Sequence, residues 1–489
     1  MLDSCFCPLL PSFPHSPNLC QQVIKNRTQE PRGGYPMSQQ IRRLSRRAFL
    51  QWTGAGTALA LAACAPATVQ SPGTGEQAPA QAKTLEFWMW NTFAPPADEI
   101  MEQKLREWAA ANNVTIEISR DSDGNQQTKV MPALEAGTLP DALFVGSGPA
   151  LLMMDAGGTR ELTDLFAEIG EAHGGWLPKL TEYVTREGEV HFLPYSIDTP
   201  MVQYRQDIFE EAGIQVPEGQ WTWQETRDLC LQAQQFTEEQ GKKMVGWGFG
   251  VVKQQHDGWC HDLFRNMGAD LWDETGQNII LAEQHMEEAT KALNFAKEAW
   301  DMGLFPDDAA SWDWSSNNKA YQEDQAILVI NAASIYVWAT QNKPELAEVT
   351  GLAPKPKDVR DTTNAGLRYT VVMTKDVRDE ATTLDLIRAL YDKEIYAPWL
   401  EAGFVANVLH EYDDLPMWTG KRAQFNLAAQ LGVYGGYPAP YDNAAMADLL
   451  GPNDPIGTMT VRVLLDGWTP EEAILEADQF SKDVFRRYF

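Results

Sequence analysis

Between residues 84 and 145 the apolar and polar positions change period in a regular order. Leu85-Glu86-Phe87-Trp88-Met89-Trp90 is a short apolar run of strand type, and the 98–112 stretch has helical spacing. Val114-Thr115-Ile116-Glu117-Ile118 then alternates with period two. A helix over 126–136 and a strand over Pro140-Asp141-Ala142-Leu143-Phe144-Val145 complete the unit. This β-α-β-α-β order with short turns predicts a mostly parallel sheet covered by helices. The style resumes downstream, with strands near 246–251, 326–331 and 367–374, and helices over 223–236, 285–302, 380–390 and 470–480. There is no short-period repeat. At 489 residues the chain exceeds one ordinary domain, so an α/β fold of two lobes is expected.

The N-terminal part follows different rules. Ser45-Arg46-Arg47-Ala48-Phe49-Leu50 opens a weakly apolar stretch that ends at Leu61-Ala62-Ala63-Cys64. A basic segment, a short apolar segment and small residues before a processing point make a secretory signal. The Arg46-Arg47 pair resembles the twin-arginine export motif, with Gln51 where lysine is common. Leu61 to Cys64 resembles a bacterial lipobox, in which the cysteine thiol is lipidated and becomes the new N-terminus. Residues 65–83, rich in Ala, Pro, Gly and Gln, cannot build a core and read as a tether. Residues 37–63 are therefore expected to be the signal and 64–83 a lipidated leash. Met37 fits the start of such a signal, which leaves 1–36 as untranslated or disordered sequence.

Charge narrows the partners. The net charge is -29, but residues 1–63 hold 7 basic and 2 acidic residues, leaving 32 and 66 from Cys64 onward. So acidic a body repels phosphate backbones and anionic lipid headgroups, which argues against nucleic acid and confines membrane contact to the anchor. Beyond Cys64 the cysteines are Cys230 and Cys260, which could pair in an oxidising compartment or remain buried thiols.

From Thr84 to Phe489 the order of short motifs resembles the extracellular solute-binding proteins of the maltodextrin-binding type, the receptors of ABC importers. The resemblance rests on Phe87 to Trp90, on Leu134-Glu135-Ala136-Gly137-Thr138-Leu139-Pro140-Asp141, on Leu162-Thr163-Asp164-Leu165 and on Phe192-Leu193-Pro194-Tyr195. It continues through Gln203-Tyr204-Arg205-Gln206-Asp207-Ile208-Phe209-Glu210-Glu211-Ala212-Gly213-Ile214 and Trp221-Thr222-Trp223-Gln224-Glu225. It implies a two-lobed periplasmic-binding-protein fold of type II, with crossing strands near 194–201 and 364–373. Lobe 1 would combine 84–197 with 370–425, and lobe 2 would combine 198–369 with 426–489. The implied protein is a monomeric receptor outside the cell membrane that captures a solute and delivers it to permease subunits.

A sugar offers an apolar C–H face and a rim of hydroxyls, so aromatic faces beside amides, hydroxyls and carboxylates suit it. By that chemistry and the resemblance, the candidate ligand residues are Trp90, Asn91, Gly146, Ser147, Tyr195 and Asp198 around the first lobe and hinge. In the second lobe they are Trp259, Asp262, Trp312, Trp314, Asn331, Ser334, Tyr434 and Tyr437, with Gly366 on the return strand. Ser334 stands where the family often has an aromatic. Trp108, Trp300 and Trp399 sit at helical positions and read as core. No phosphate loop, HExxH, nucleophile elbow or metal-ligand spacing of histidines is present, and no cofactor is expected. A membrane-tethered glycoside hydrolase is the enzyme alternative.

Overall fold

Alternation along β1 (Lys83–Trp90) buries Leu85, Phe87 and Met89 on one face. β2 (Val114–Asp121) and β3 (Ala142–Gly146) flank it in parallel. Two short strands, β4 (Thr185–Arg186) and β5 (Glu189–Val190), precede β6 (Leu193–Asp198) and β7 (Met201–Arg205). β8 (Val245–Trp247), β9 (Ala326–Asn331), β10 (Thr350–Ala353) and β11 (Gly366–Met373) follow. The computed structural model describes residues 83–122, 125–254, 258–362, 365–431, 436–451 and 453–489. The readings of the leader, of Arg46, Arg47 and Cys64, and of Tyr434 fall outside the described residues.

Two sheets carry the two lobes, in the orders β2-β1-β3-β11-β6 and β10-β7-β9-β8. The chain passes from the first to the second through Thr199-Pro200, between β6 and β7, and returns between β10 and β11. Only β8 and β9 are parallel in the second sheet, and β11 is antiparallel to both its neighbours. The expectation of mostly parallel sheets therefore holds only for β2-β1-β3. The reason lies in the crossings, because a strand that arrives from the other lobe runs back along its new sheet.

The lobe limits shift for the same reason. Gly366 already pairs with Asp198 in the first sheet, so 198 and 366–369 belong with lobe 1 rather than lobe 2. The helix Arg422–Gln430 adds Phe425 and Ala429 to the first core, which carries lobe 1 past residue 425. Near 246–251 the strand stops at Trp247.

The turn at 134–141 has a physical job. The helix Gln126–Ala136 ends on Gly137, whose φ of 65° is left-handed and free of the Cβ penalty there. The turn delivers Asp141, 1% exposed, to accept from the Glu86 N–H at 2.8 Å, the Arg378 N–H at 2.9 Å and Arg378 Nη2 at 2.6 Å. One carboxylate thus ties β1, β3 and the loop after β11 together. In the second lobe Thr222 and Glu225 form a reciprocal capping box that starts the helix Trp223–Glu239, and Trp221 and Trp223 anchor that helix in the core. Cys230 and Cys260 are buried thiols that form no disulfide.

Adjacent side chains join the lobes. Arg422 donates to Leu400 O, Glu401 O and Gly403 O, capping a first-lobe helix. Lys421 reaches the other way and donates to Ala347 O at 3.2 Å, Glu348 O at 3.0 Å and Thr350 O, at the end of a second-lobe helix. Tyr336 stacks near Phe425 beside this junction. Lys421→Met is expected to speed amide exchange across 344–353 by roughly tenfold, since one charge-assisted bond is worth about 1.5 kcal/mol. Unchanged exchange there would show that the junction adds nothing.

Candidate functional site

The space between the lobes opens against the first crossing. One cavity of about 380 Å³ is lined by Asp198 and Pro200 at the crossing and by Ala365 and Gly366 on the return. From the second lobe come His261, Asp262, Arg265, Asp270, Trp272, Trp314 and Lys355, with Tyr437 and Asp442 from the last connection. A neighbouring cavity of about 130 Å³ shares Asp198, Pro200 and Trp314, and adds Phe93, Arg368 and Phe404 from lobe 1. The larger volume falls in the range of about 300–1,000 Å³ usual for small-molecule sites.

Polar groups around this cleft are held by one another. Asn331 Nδ2 donates to Asn318 Oδ1 at 2.5 Å, Asn318 Nδ2 to Ser334 Oγ at 3.2 Å, and Ser334 Oγ to Asn331 Oδ1 at 3.3 Å, closing a ring. Lys355 Nζ bonds Asp262 at 2.7 Å, and Arg360 Nη1 bonds Asp270 at 2.7 Å. His261 Nε2 lies 2.5 Å from Asp454, the residue that caps the helix Pro455–Leu464. Arg368 Nε lies 3.6 Å from Asp198. Burial pushes the Asp442 carboxyl above the usual carboxylate range, against the hydrogen bonds from Tyr183 and Gly436 and the charges of Arg265 and Arg186. Among the described residues, no group of His, Cys, Asp and Glu side chains is placed to hold a metal.

The profile of the bacterial extracellular solute-binding proteins matches residues 105–426, more than half of the chain. The chain belongs to that family. Its similarity to a mannitol-binding protein of Pseudomonas aeruginosa is 24% identity over 45% of this chain, which spans 49% of that protein's length. It is 22% identical over 83% of its length to the sn-glycerol-3-phosphate-binding periplasmic protein UgpB of Escherichia coli K12, covering 93% of it. An ABC transporter solute-binding protein from Thermotoga lettingae, solved with α-D-tagatose, superposes with a TM-score of 0.69 at 20% identity, over 82% of this chain and all of that one. The two-lobed fold is thus that of periplasmic sugar-binding proteins.

In this member of the solute-binding family, the sequence candidates divide. Asp198, Asp262, Trp314, Gly366 and Tyr437 line the larger cavity, and Asn331 and Ser334 line the smaller one. Trp90, Tyr195 and Trp259 require correction, because each is fully buried in a lobe core. Trp90 packs against Trp88, with Lys129 5.9 Å above its ring. Tyr195 sits among Phe144, Tyr391, Tyr396 and Trp399 and donates to Leu390 O at 3.0 Å. Trp259 stacks on Phe249 and donates to Gly250 O at 2.8 Å.

Trp312 lies in a different cavity, with Lys243, Asp307 and Lys319, and donates to Asp308 at 2.9 Å. Asn91, Gly146 and Ser147 line neither cleft cavity. Asn91 accepts from Arg120, the Gly146 N–H donates to Gln126, and Ser147 donates to Leu367 O. Sequence reasoning missed Phe93, His261, Arg265 and Arg368. His261 and Arg265 are four apart on the helix Trp259–Asn266, so Asp262 could have pointed to them as neighbours on one face. Arg368 and Phe93 carried no such signal.

Proposed function

We propose that this protein is the extracytoplasmic receptor of an ABC importer, which captures a sugar, oligosaccharide or polyol between its lobes and passes it to permease subunits. The observation that carries this reading is the cleft itself. There the aromatic rings of Phe93, Trp314 and Tyr437 stand beside the Asn318–Asn331–Ser334 ring and the carboxylates of Asp198 and Asp262. Rings match the C–H face of a sugar, and the amides, hydroxyl and carboxylates match its rim. The relatives' ligands (mannitol, sn-glycerol-3-phosphate and tagatose) share a chain or ring of adjacent hydroxyls.

Closure follows from the crossings between the lobes, and a solute favours the closed form only by its preference for it. Asp262 and Asp270 are each already bonded to a cation, which disfavours the tethered glycoside hydrolase. A thermal-shift screen against sugars and polyols tests the reading. Ligand at ~100 times its dissociation constant adds about 2.7 kcal/mol. No upward shift with any of them would overturn it.

The address belongs to the same proposal. Cys64 is lipidated after export on the Arg46-Arg47 signal, and the acidic body hangs from it as a monomer. Cys64→Ala is expected to move the protein from the membrane pellet to the soluble extracytoplasmic fraction without changing its solute affinity. Retention in the pellet would remove the anchor from the account.

A further inference from the structure

Behind the larger cavity lies an imbalance of charge. Arg265 lines the cavity, and its guanidinium lies 4.6 Å from the centre of the Tyr437 ring. Its Nε and Nη2 are buried and have no hydrogen-bond partner among the described residues. Next to it Arg186 lies 3.7 Å from the Tyr441 ring and donates to Asp442 O at 2.8 Å. The charges of both guanidinium groups act on the carboxyl of Asp442. That carboxyl already accepts from the Tyr183 hydroxyl at 3.0 Å and from the Gly436 N–H.

Charge around the rest of the cavity is paired: Asp262 with Lys355, Asp270 with Arg360, and Asp198 facing Arg368. Among the described residues, two arginines against the Asp442 carboxyl therefore leave a positive excess at Arg265, inside a chain whose net charge is -29. Buried guanidinium nitrogens with unmade hydrogen bonds are costly, and the cost falls when an anion arrives. Tyr437 holds the planar group flat, which suits a fork of donors to a carboxylate or phosphate.

We infer that the solute carries one anionic group, a carboxylate or a phosphate ester on a polyhydroxylated frame, and that Arg265 is the residue that selects it. The inference rests on the receptor reading above and sharpens its substrate class. Asp198, Trp314 and the amide ring hold the hydroxylated frame, while Arg265 takes the charged end.

The test uses the full chain carrying Cys64→Ala, titrated by calorimetry with matched sets: a neutral sugar or polyol, its sugar acid and its phosphate ester. At least one of the two acidic forms is expected to bind tenfold or more tightly than the neutral parent, and to weaken as salt is raised. The better of the two identifies the anion. Arg265→Met is expected to weaken that ligand by roughly 10- to 100-fold, as loss of a charged hydrogen-bonding group does. It should change the neutral parent less than about threefold, and Arg265→Lys should restore part of the difference. Circular dichroism of each variant checks that it folds, and the salt dependence of the unsubstituted chain stands even where a variant does not. Neutral parents that bind as well as their acids, with no salt dependence, would overturn the inference and leave the receptor reading intact. Binding by no member of any set would overturn both.

Discussion

Asp141→Ala is expected to destabilise the fold by about 2–4 kcal/mol at neutral pH. The substitution removes a carboxylate that is 1% exposed and leaves the N–H groups of Glu86 and Arg378 without their acceptor. Breaking a fully buried ion pair costs about 3–5 kcal/mol, and the half-exposed Arg378 side chain, free to turn to water, lowers that figure. Burial pushes the Asp141 carboxyl up, but its bonds to Arg378 and to the Arg378 and Glu86 N–H groups outweigh burial and hold it below the usual carboxylate range. A depressed carboxyl contributes stability in full above its unfolded value of about 3.9, and the contribution is lost as pH falls through the folded value. Denaturant melts of both proteins should therefore differ most at pH 7 and converge below about pH 4. An equal gap at pH 7 and pH 3 would mean that packing, and not the ion pair, sets the loss.

Trp314→Ala is expected to raise the dissociation constant of the solute ~30-fold with little change in melting temperature. Trp314 is partly exposed and lines both cleft cavities. Covering roughly 80–100 Å² of its ring with the C–H face of a sugar, at about 25 cal/mol per Å², is worth about 2 kcal/mol. That energy is ~30-fold in affinity. Trp312, two residues earlier, faces the cavity with Lys243 and Asp307, so Trp312→Ala should leave affinity within about threefold. Calorimetry on both variants separates the two sites. Equal losses would place the ligand elsewhere.

That pair of tryptophans shows what was legible in the chain and what was not. Short apolar runs located the strands Lys83–Trp90, Ala326–Asn331 and Gly366–Met373 to within a few residues. Local pattern also made the run 312–318 conspicuous, yet it could not say which indole faces the cleft. Trp90 and Tyr195, on strands beside the cleft, were misjudged for the same reason. A strand end near a cleft has a buried face and an open one, and only tertiary contacts, such as Tyr195 with Leu390, decide between them. Arg368 and Phe93 join the site across long sequence separations, and no local periodicity reports that. The parallel expectation failed at β7 and β11, where the crossing and not the pattern sets direction.

The closed ring of Asn318, Asn331 and Ser334 has a consequence for breadth of recognition. A hydroxyl both gives and takes a hydrogen bond, and an amide turned by half a revolution exchanges its oxygen for its NH2. Three such groups in a circle can reverse their direction of donation together, with almost no displacement of heavy atoms. The wall then meets an incoming hydroxyl as acceptor or as donor at nearly equal energy. Epimers that differ at the position facing this wall should bind with similar strength, so stereochemical discrimination must come from elsewhere in the cleft.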